Sequence, residues 1–301
     1  MNHQLLGFEQ IKNSLLNNFN DNKLHHGLLL MGNKGIGKAS FAFDLATKII
    51  LSSSQNHADD LTKIQSSSHP DFLIIKKDPK KRDISVDVVR EISQFLSLTA
   101  AISKHRVIII DAIDDLNRSS SNAILKTLEE PPQNVFLFLI NHNQTKLLDT
   151  IKSRCRAIKI ATLPYLDFKT VLEKNIDGID EEEIKILAKI SDQSVGAALE
   201  MQNCGAIDLY EQIEQLIAEN DHKAIFDLAK IISGNDELWE IFEKLITFYF
   251  YNLLTAQKIS GQKIFIIIDK INNLFLATKN LNLDKSQSII NIFNIIKNAT
   301  N

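Results

Sequence analysis

The sequence predicts an α/β domain with a parallel β-sheet, followed by a small helical domain and an all-α C-terminal domain. Short apolar runs alternate with helical segments in the first half of the chain. A glycine-rich turn joins the first apolar run to a helix, and strand signals end near residue 164. Apolar residues recur at helical spacing beyond that point. The predicted domains are residues 1–162, 163–205 and 206–301.

The composition excludes several classes of protein. The 301 residues include 34 Lys and Arg against 37 Asp and Glu, so the net charge of -3 gives no overall basic field for nucleic acid. Two cysteines are too few for a disulfide framework or a four-cysteine zinc site within the chain. The opening segment Met1–Lys12 lacks the pattern of a secretory signal, and no apolar run approaches the ~18 residues of a membrane span. We therefore expect a cytoplasmic protein that binds no zinc.

Five apolar runs in the first domain are predicted to be strands. Val107–Ile110 shows no polar alternation, which indicates a central strand buried on both faces, with a ligand crevice at its carboxyl end. The polar, serine-rich segment Ser52–Ser68 is predicted to be a surface loop. The predicted strands are Gly27–Met31, Phe72–Lys76, Arg106–Ile110, Val135–Ile140 and Ala157–Ile160.

The rest of the chain is predicted to be helical. Tyr165–Leu199 has the pattern of several short helices, and Asp180–Glu183 suits the first turn of one of them. Ile264–Ile268 is interpreted as part of a buried helix. An apolar stripe at helical spacing either packs within its own domain or faces partner subunits in part; it comprises Ile225, Leu228, Ala229 and Ile232.

A candidate phosphate-binding loop follows the first predicted strand. The segment Gly32–Lys38 matches G-x-x-x-x-G-K, with a further glycine at Gly35, and a helix over Phe41–Ile50 comes next. In such a loop, backbone N–H groups surround phosphate oxygens, and the helix N-terminus and the lysine add positive potential. The candidate nucleotide-binding residues are Gly32, Gly35, Gly37, Lys38 and Asp111.

Two groups that support hydrolysis are missing from this loop and from the predicted strand end. The motif normally closes with Ser or Thr as a Mg²⁺ ligand, but Ala39 stands there, and Ser40 is rotated about 100° around the helix. Asp111 ends the central strand, but its neighbour Ala112 cannot orient or deprotonate water. Asp114 and Asp115 follow too late to lie on the strand.

Four further motifs resemble the AAA+ clamp-loader family, and within it the delta-prime subunits of bacterial DNA polymerase III. The similarity covers roughly residues 1–200, and the motifs are His69-Pro70-Asp71, Ile84–Arg90, Asn122–Pro132 and Ser153-Arg154-Cys155. From the residues alone, the third motif, Asn122–Pro132, is predicted to belong to an amphipathic helix that starts at Ser121 or Asn122 and ends before Pro131. The resemblance implies an AAA+ P-loop domain, a helical lid domain and a C-terminal collar domain.

The resemblance also implies a role for the Ser-Arg-Cys motif. In clamp loaders its arginine, here Arg154 between Ser153 and Cys155, reaches the γ-phosphate of ATP held by a neighbouring subunit. An arbitrary arginine at such a place would form only a surface salt bridge worth about 0–1 kcal/mol. Ala197 stands where an active relative would carry a sensor arginine.

Taken together, the resemblance implies a non-motor subunit of the loader that places the sliding clamp on primed DNA. Its partners would be gamma/tau and delta subunits, and the chain would be a component of the DNA polymerase III holoenzyme, a DNA-directed DNA polymerase, without enzymatic activity of its own. No cofactor is assigned with certainty, and residual ATP or ADP binding stays open. The alternatives are an active ATPase of gamma/tau type and a nucleotide-sensing adaptor that has no loader partners.

Overall fold

The computed structural model describes residues 7–78, 81, 83–97, 99–143, 147–219, 221–255 and 261–300. Residues 1–6, on which the expected absence of a secretory signal partly rests, lie outside the described residues. The chain divides into two compact units, Met1–Asp167 and Phe168–Asn301. The second unit contains most of the predicted lid and all of the predicted C-terminal domain, so the boundary between those two domains stays a prediction.

A five-stranded parallel sheet forms the centre of the first unit. All five predicted strands are present within one residue of their predicted ends. The order across the sheet is β2-β3-β4-β1-β5, and every neighbouring pair is parallel. The strands are β1 (Gly27–Met31), β2 (Phe72–Lys76), β3 (Arg106–Asp111), β4 (Val135–Asn141) and β5 (Arg156–Lys159).

The placement of β3 differs slightly from the prediction. It is buried on both faces, as its unbroken apolar run indicates, but β4 occupies the middle of the sheet and β3 lies second from the edge. An apolar run reports burial on both faces and carries no information about strand order, because any interior strand covered by helices meets this condition.

Helices cover both faces of the sheet. Alternate residues of β1 face opposite ways: Leu28 and Leu30 join one buried cluster and Leu29 joins the other. One cluster includes residues of α1, α2 and α3, and the other includes residues of α4 and α5. These helices and the short α6 are α1 (Glu9–Asn20), α2 (Lys38–Leu51), α3 (His57–Gln65), α4 (Val86–Ser97), α5 (Arg118–Glu129) and α6 (Asp149–Lys152).

The predicted surface loop over Ser52–Ser68 is wrong in part, because it contains the helix α3. Asn56 caps this helix by accepting a hydrogen bond from the backbone N–H of Asp59 at 3.4 Å. Its buried face carries Ile64 and Asp60, which is a pattern too short and too polar to show apolar periodicity.

The predicted start of α5 is also wrong. The helix begins at Arg118, three residues before Ser121, because the side chain of Asn117 accepts a hydrogen bond from the Ser120 N–H at 2.9 Å. Its end at Glu129, before Pro131, agrees with the prediction. A capping asparagine followed by a polar first turn gives little apolar signal, so the sequence pattern reported only the packed part of the helix.

The second unit consists of helices, as predicted, and α7 begins just before its boundary. Asp180 is the N-cap of α8 and forms a capping box with Glu183, so the acidic run extends from the cap into the first turn. The helices are α7 (Tyr165–Asn175), α8 (Glu181–Ile190), α9 (Val195–Asn203), α10 (Ala206–Glu219), α11 (His222–Ser233), α12 (Asp236–Thr255), α13 (Gly261–Leu281) and α14 (Lys285–Thr300).

Burial in this unit bears on two interpretations of its apolar segments. The predicted stripe of α11 is buried within the unit, which fits packing inside its own domain. The segment over 264–268 is helical, but only one face is buried: Ile264 is inaccessible, whereas Phe265 and Ile266 are exposed. Within the described part of the chain, no helix combines the length and the apolar character needed to cross a bilayer.

A buried ion pair explains the third residue of the His-Pro-Asp motif. The carboxylate of Asp71 is inaccessible and accepts hydrogen bonds from the backbone N–H groups of Ala101, Ile102 and Ser103, each at 2.8 Å. Its Oδ1 atom also lies 3.4 Å from Nε of the buried Arg106 at the start of β3. Asp71 therefore fixes the segment that leads into β3.

We expect Asp71→Ala to lower the free energy of unfolding of the first unit by about 3–5 kcal/mol, because it removes the carboxylate beside the buried Arg106 and the acceptor of three backbone N–H groups. Asp87→Ala, which removes an exposed carboxylate paired with Arg90, should cost about 1 kcal/mol or less. Urea unfolding followed by far-UV circular dichroism tests this. Trp239 fluorescence gives an internal control, since this single tryptophan lies in the second unit. Equal losses in the two variants would contradict the assignment.

Candidate functional site

The predicted phosphate loop lies at the carboxyl edge of the sheet, between β1 and α2. Gly32 and Gly37 have φ angles of 155° and 91°. A Cβ atom at Gly32 would lie 2.5 Å from the carbonyl oxygen of Ile160, and one at Gly37 would lie 3.3 Å from the ring of Phe8. The positive φ angles favour glycine at both positions, and at Gly32 the neighbouring backbone also leaves no space for a Cβ atom. Gly35, which lies between Gly32 and Gly37 in the sequence, also has a positive φ of 81°.

Lys38 is folded back onto its own loop. The residue is 2% exposed, and its Nζ atom donates hydrogen bonds to the carbonyl oxygens of Gly32 at 2.7 Å and Asn33 at 2.5 Å. Burial lowers the pKa of Lys38 to about 8, although the negative charges of Asp111 and Asp114 act in the opposite direction. The ammonium group is thus satisfied by the loop, and a phosphate would have to replace these carbonyl partners.

Asp111 ends β3 at the same edge of the sheet, as predicted, and has a partner that sequence reasoning missed. His142 directly follows β4, and its Nε2 atom lies 3.4 Å from Oδ1 of Asp111. The hydrogen bond from His142 holds the pKa of the Asp111 carboxyl below its usual range, although burial acts to raise it. The position of His142 just after a predicted strand is a signal that could have identified it.

An open cleft of about 450 Å³ lies at this edge. Two of its aspartates have partners within the chain: Lys77 contacts Asp115 at 3.2 Å, and Asp114 accepts a hydrogen bond from the backbone N–H of His142 at 3.0 Å. Both aspartates belong to a 3₁₀ turn after β3, off the strand end, as predicted. The cleft is lined by Lys34, Lys76, Lys77, Asp111, Ala112, Asp114, Asp115 and His142.

The residues of this cleft fit a magnesium-bound nucleotide poorly. Ala39 supplies no hydroxyl at the second position of α2, and Ser40 is exposed on the helix while Lys38 is buried. Ala112 is buried and has no group that could orient water. The features of a nucleotide site that remain include the glycine-rich backbone of the loop and the carboxylate of Asp111, which already contacts His142. Nucleotide binding therefore stays a prediction.

No metal site emerges from the described residues either. Within the ranges that the structure describes, no three His, Cys, Asp or Glu side chains lie together as a metal-ligand group would require. The expectation that the chain binds no zinc remains a prediction.

Ala197 stands at the position where an active relative would carry the sensor arginine. It lies in the first turn of α9, where its backbone N–H donates a hydrogen bond to the Ser194 hydroxyl at 3.4 Å.

Arg154 lies at the amino-terminal ends of the strands, opposite the edge that carries the phosphate loop. It precedes β5, and its carbonyl oxygen is 3.5 Å from the position that a Cβ atom of Gly27, at the start of β1, would occupy. The structure therefore does not bring Arg154 together with the phosphate loop, which follows the other end of β1. Its side chain is 35% exposed, outside the core, and forms an ion pair of 2.7 Å with Glu129.

The two neighbours of Arg154 have different surroundings. Ser153 accepts a hydrogen bond from Nη1 of Arg154 at 3.2 Å and donates one to the carbonyl oxygen of Thr150 at 3.1 Å. The Cys155 sulfur lies 3.2 Å from the Cβ position of Gly27, and burial raises its pKa to about 12. The Cys155 thiol therefore stays protonated and serves packing.

Comparisons with known proteins agree on one family. A family model described as DNA polymerase III, delta subunit, matches residues 7–164, just over half of the chain. The chain is 29% identical over 287 residues to DNA polymerase III subunit gamma of Buchnera aphidicola subsp. Schizaphis graminum, which covers 92% of this chain and 73% of that protein. It is 29% identical over 180 residues to subunit delta' of Escherichia coli K12, which covers 58% of this chain and 54% of that protein.

Another delta' relative and a solved structure extend this result. Subunit delta' of Pseudomonas aeruginosa is 28% identical over 197 residues, 64% of this chain and 59% of that protein, so the chain spans little more than half the length of these delta' relatives. The crystal structure of a DNA polymerase III gamma subunit-related protein from Thermotoga maritima shares the fold, with a TM-score of 0.52 at 18% identity over 99% of this chain and 100% of that one. The chain belongs to the DNA polymerase III delta subunit family, and with it to the AAA+ clamp-loader proteins that its motifs resemble.

Proposed function

We propose that this chain is a delta-prime-type, non-motor subunit of a bacterial clamp loader, and that it supplies Arg154 to ATP bound by a neighbouring subunit. The observation that carries this proposal is the position of Arg154 at the amino edge of the sheet, opposite its own phosphate loop. Its partners would be gamma/tau and delta subunits, and the assembled complex would load the sliding clamp onto primed DNA.

The length of β1 supports action on a different subunit. Arg154 is beside Gly27 at one end of this strand, and the phosphate loop begins after Met31 at the other. At about 3.3 Å per residue, the strand alone separates the two by about 13 Å. The guanidinium therefore cannot reach a phosphate held by its own loop, but its exposed side chain can meet a second protein.

The chemistry of arginine suits this task. A guanidinium is planar and permanently charged, and its N–H donors match the oxygens of a phosphoryl group. Positioned arginines of this kind stabilise the charge that develops on the transferred phosphoryl group, and they contribute about 10³–10⁵ in rate. Cys155, with its neutral buried thiol, and Ser153, which binds the guanidinium, would hold the motif in place.

The pocket of this chain supports the non-motor role. Lys38 is engaged with carbonyl groups of its loop, and Asp111 is engaged with His142. Ala39 offers no magnesium ligand, and Ala112 offers no base or water-orienting group. A bound nucleotide would contact backbone N–H groups of the loop, but Ala112 leaves the position that would activate water for hydrolysis without a functional group.

An active ATPase of gamma/tau type is the second candidate. The Buchnera gamma subunit aligns with 92% of this chain, compared with 58% and 64% for the two delta' relatives, although the identities are the same within 1%. Ala39, Ala112 and Ala197 together count against this candidate, since each takes the place of a group that an active site would use. A nucleotide-sensing adaptor is the third candidate, and it would show no association with gamma or delta subunits in a pull-down.

We expect Arg154→Ala to slow ATP hydrolysis strongly at the neighbouring site of the assembled loader, because the transition-state charge there loses its cation. The measurement is single-turnover hydrolysis by a complex of this chain with its cognate gamma-type and delta-type subunits. The rate at that site should fall at least 100-fold. Arg156→Ala, which removes an exposed arginine from β5, is the matched control and should leave the rate within twofold. Unchanged hydrolysis in Arg154→Ala would refute the proposed role.

We expect the isolated chain to show no Mg²⁺-dependent ATP turnover, because Ala39 and Ala112 replace the groups that would bind the metal and orient water. A phosphate-release assay on the purified chain, with a gamma-type subunit assayed in parallel, measures this. Sustained turnover that disappears in Lys38→Met would instead establish the gamma/tau-type candidate, since contaminating ATPases would not respond to that substitution.

Any residual ADP or ATP binding should weaken as the pH rises through about 8. Lys38 carries its charge below its pKa of about 8 and loses it above, so the attraction for phosphate falls between pH 7 and pH 9. The affinity for a fluorescent ADP analogue should decrease by up to about tenfold over that range. Lys38→Met should show weak binding with no such decrease. An equal decrease in both proteins would mean that another group is responsible.

A further inference from the structure

The guanidinium of Arg154 is held from two sides of its own chain. On one side, Nη1 donates to the carbonyl oxygen of Thr150 at 3.0 Å and to the hydroxyl oxygen of Ser153 at 3.2 Å. On the other side, Nη2 forms an ion pair with Oε1 of Glu129 at 2.7 Å. Glu129 is the last residue of α5, 25 positions earlier in the chain, and no sequence pattern connects the two residues.

The contacts of Arg154 within its own chain do not use all of its N–H donors. A guanidinium has five N–H donors in a fixed plane. Nη1 donates to Thr150 and Ser153, and Nη2 forms the ion pair with Glu129. Among the described residues, no partner is present for Nε–H. The three contacts thus restrain the plane of the group and leave at least the Nε–H donor for an external anion.

The carboxylate of Glu129 extends from a well-fixed backbone. The preceding residue, Leu128, is buried, and its carbonyl oxygen accepts a hydrogen bond from Nε2 of His26 at 3.1 Å. Pro131 prevents the helix from continuing beyond this point. The side chain of Glu129 is about half exposed, so water screens the repulsion between its charge and an approaching phosphate.

We propose that Glu129 is a positioning residue for Arg154. Its carboxylate holds Nη2 so that the remaining donors keep one orientation before and during contact with the phosphate of a neighbouring subunit. This inference rests on the proposed function, in which Arg154 acts on ATP bound by another chain. Glu129 itself does not touch that ATP. Because it acts through Arg154, its removal should affect the chemical step and leave ATP binding unchanged.

The test uses the assembled loader with Glu129→Ala, Glu129→Gln or the control Glu130→Ala in this chain. Glu130 is the exposed neighbour, and its side chain has no described partner. Glu129→Ala should lower kcat for ATP about twofold to fivefold, the range expected for one exposed ion pair, with KM unchanged. Glu129→Gln keeps an acceptor oxygen without the charge and should fall between the wild type and Glu129→Ala. Glu130→Ala should match the wild type.

A double-mutant cycle decides whether Glu129 acts through Arg154. In the Arg154→Ala background, Glu129→Ala should cause no further loss, because the group that it positions is absent. A further loss of the same size would show a separate structural role, and a gain in activity in Glu129→Ala would show that the carboxylate competes with phosphate. Either result, or wild-type kcat in Glu129→Ala, overturns this inference alone. Unchanged activity in Arg154→Ala would instead overturn the proposed function and this inference with it.

Discussion

The parallel direction of the five strands is the constraint on which the functional geometry depends. All carboxyl ends of a parallel sheet meet at one edge, so residues far apart in the sequence come together there. The phosphate loop, Asp111 and His142 occupy that edge. Arg154 and Glu129 lie near the start of β1, beside Gly27 and its neighbour His26. One strand length separates two clusters of different chemistry.

Most charged side chains at the carboxyl edge are engaged with other groups of the same chain. Burial disfavours an unpaired charge, and here each buried or half-buried ionic group has found a partner in the chain itself. Lys38 binds carbonyl oxygens of the loop, Asp111 binds His142, and Lys77 binds Asp115. A phosphate would have to compete with these contacts without the hydroxyl and the second acidic group that normally support a magnesium-nucleotide complex. The glycine geometry of the loop persists, because Gly32 is required by its close contact with Ile160.

The sequence predicted the five strands, the phosphate loop, the helical second half and the placement of Asp111, because each depends on local pattern or on a strand end. It missed α3 and the true start of α5, where asparagine caps and polar first turns define the helix without apolar periodicity. The pairs His142–Asp111 and Glu129–Arg154 could not be predicted as pairs, since each joins residues from separate elements. Only the fold brings them within contact distance. The roles given to Arg154 and Ala197 came from family motifs, and they remain predictions.

Two arginine–carboxylate pairs in the first unit show how burial decides what an ion pair can do. Arg106 and Asp71 are both buried, and the carboxylate also binds three backbone N–H groups, so breaking this pair costs about 3–5 kcal/mol. Arg154 and Glu129 are partly exposed, and such a pair contributes about 0–1 kcal/mol. The first pair is therefore suited to holding a segment permanently. The second can orient a guanidinium and still allow a partner's phosphate to bind it, because little free energy is lost when its contacts rearrange.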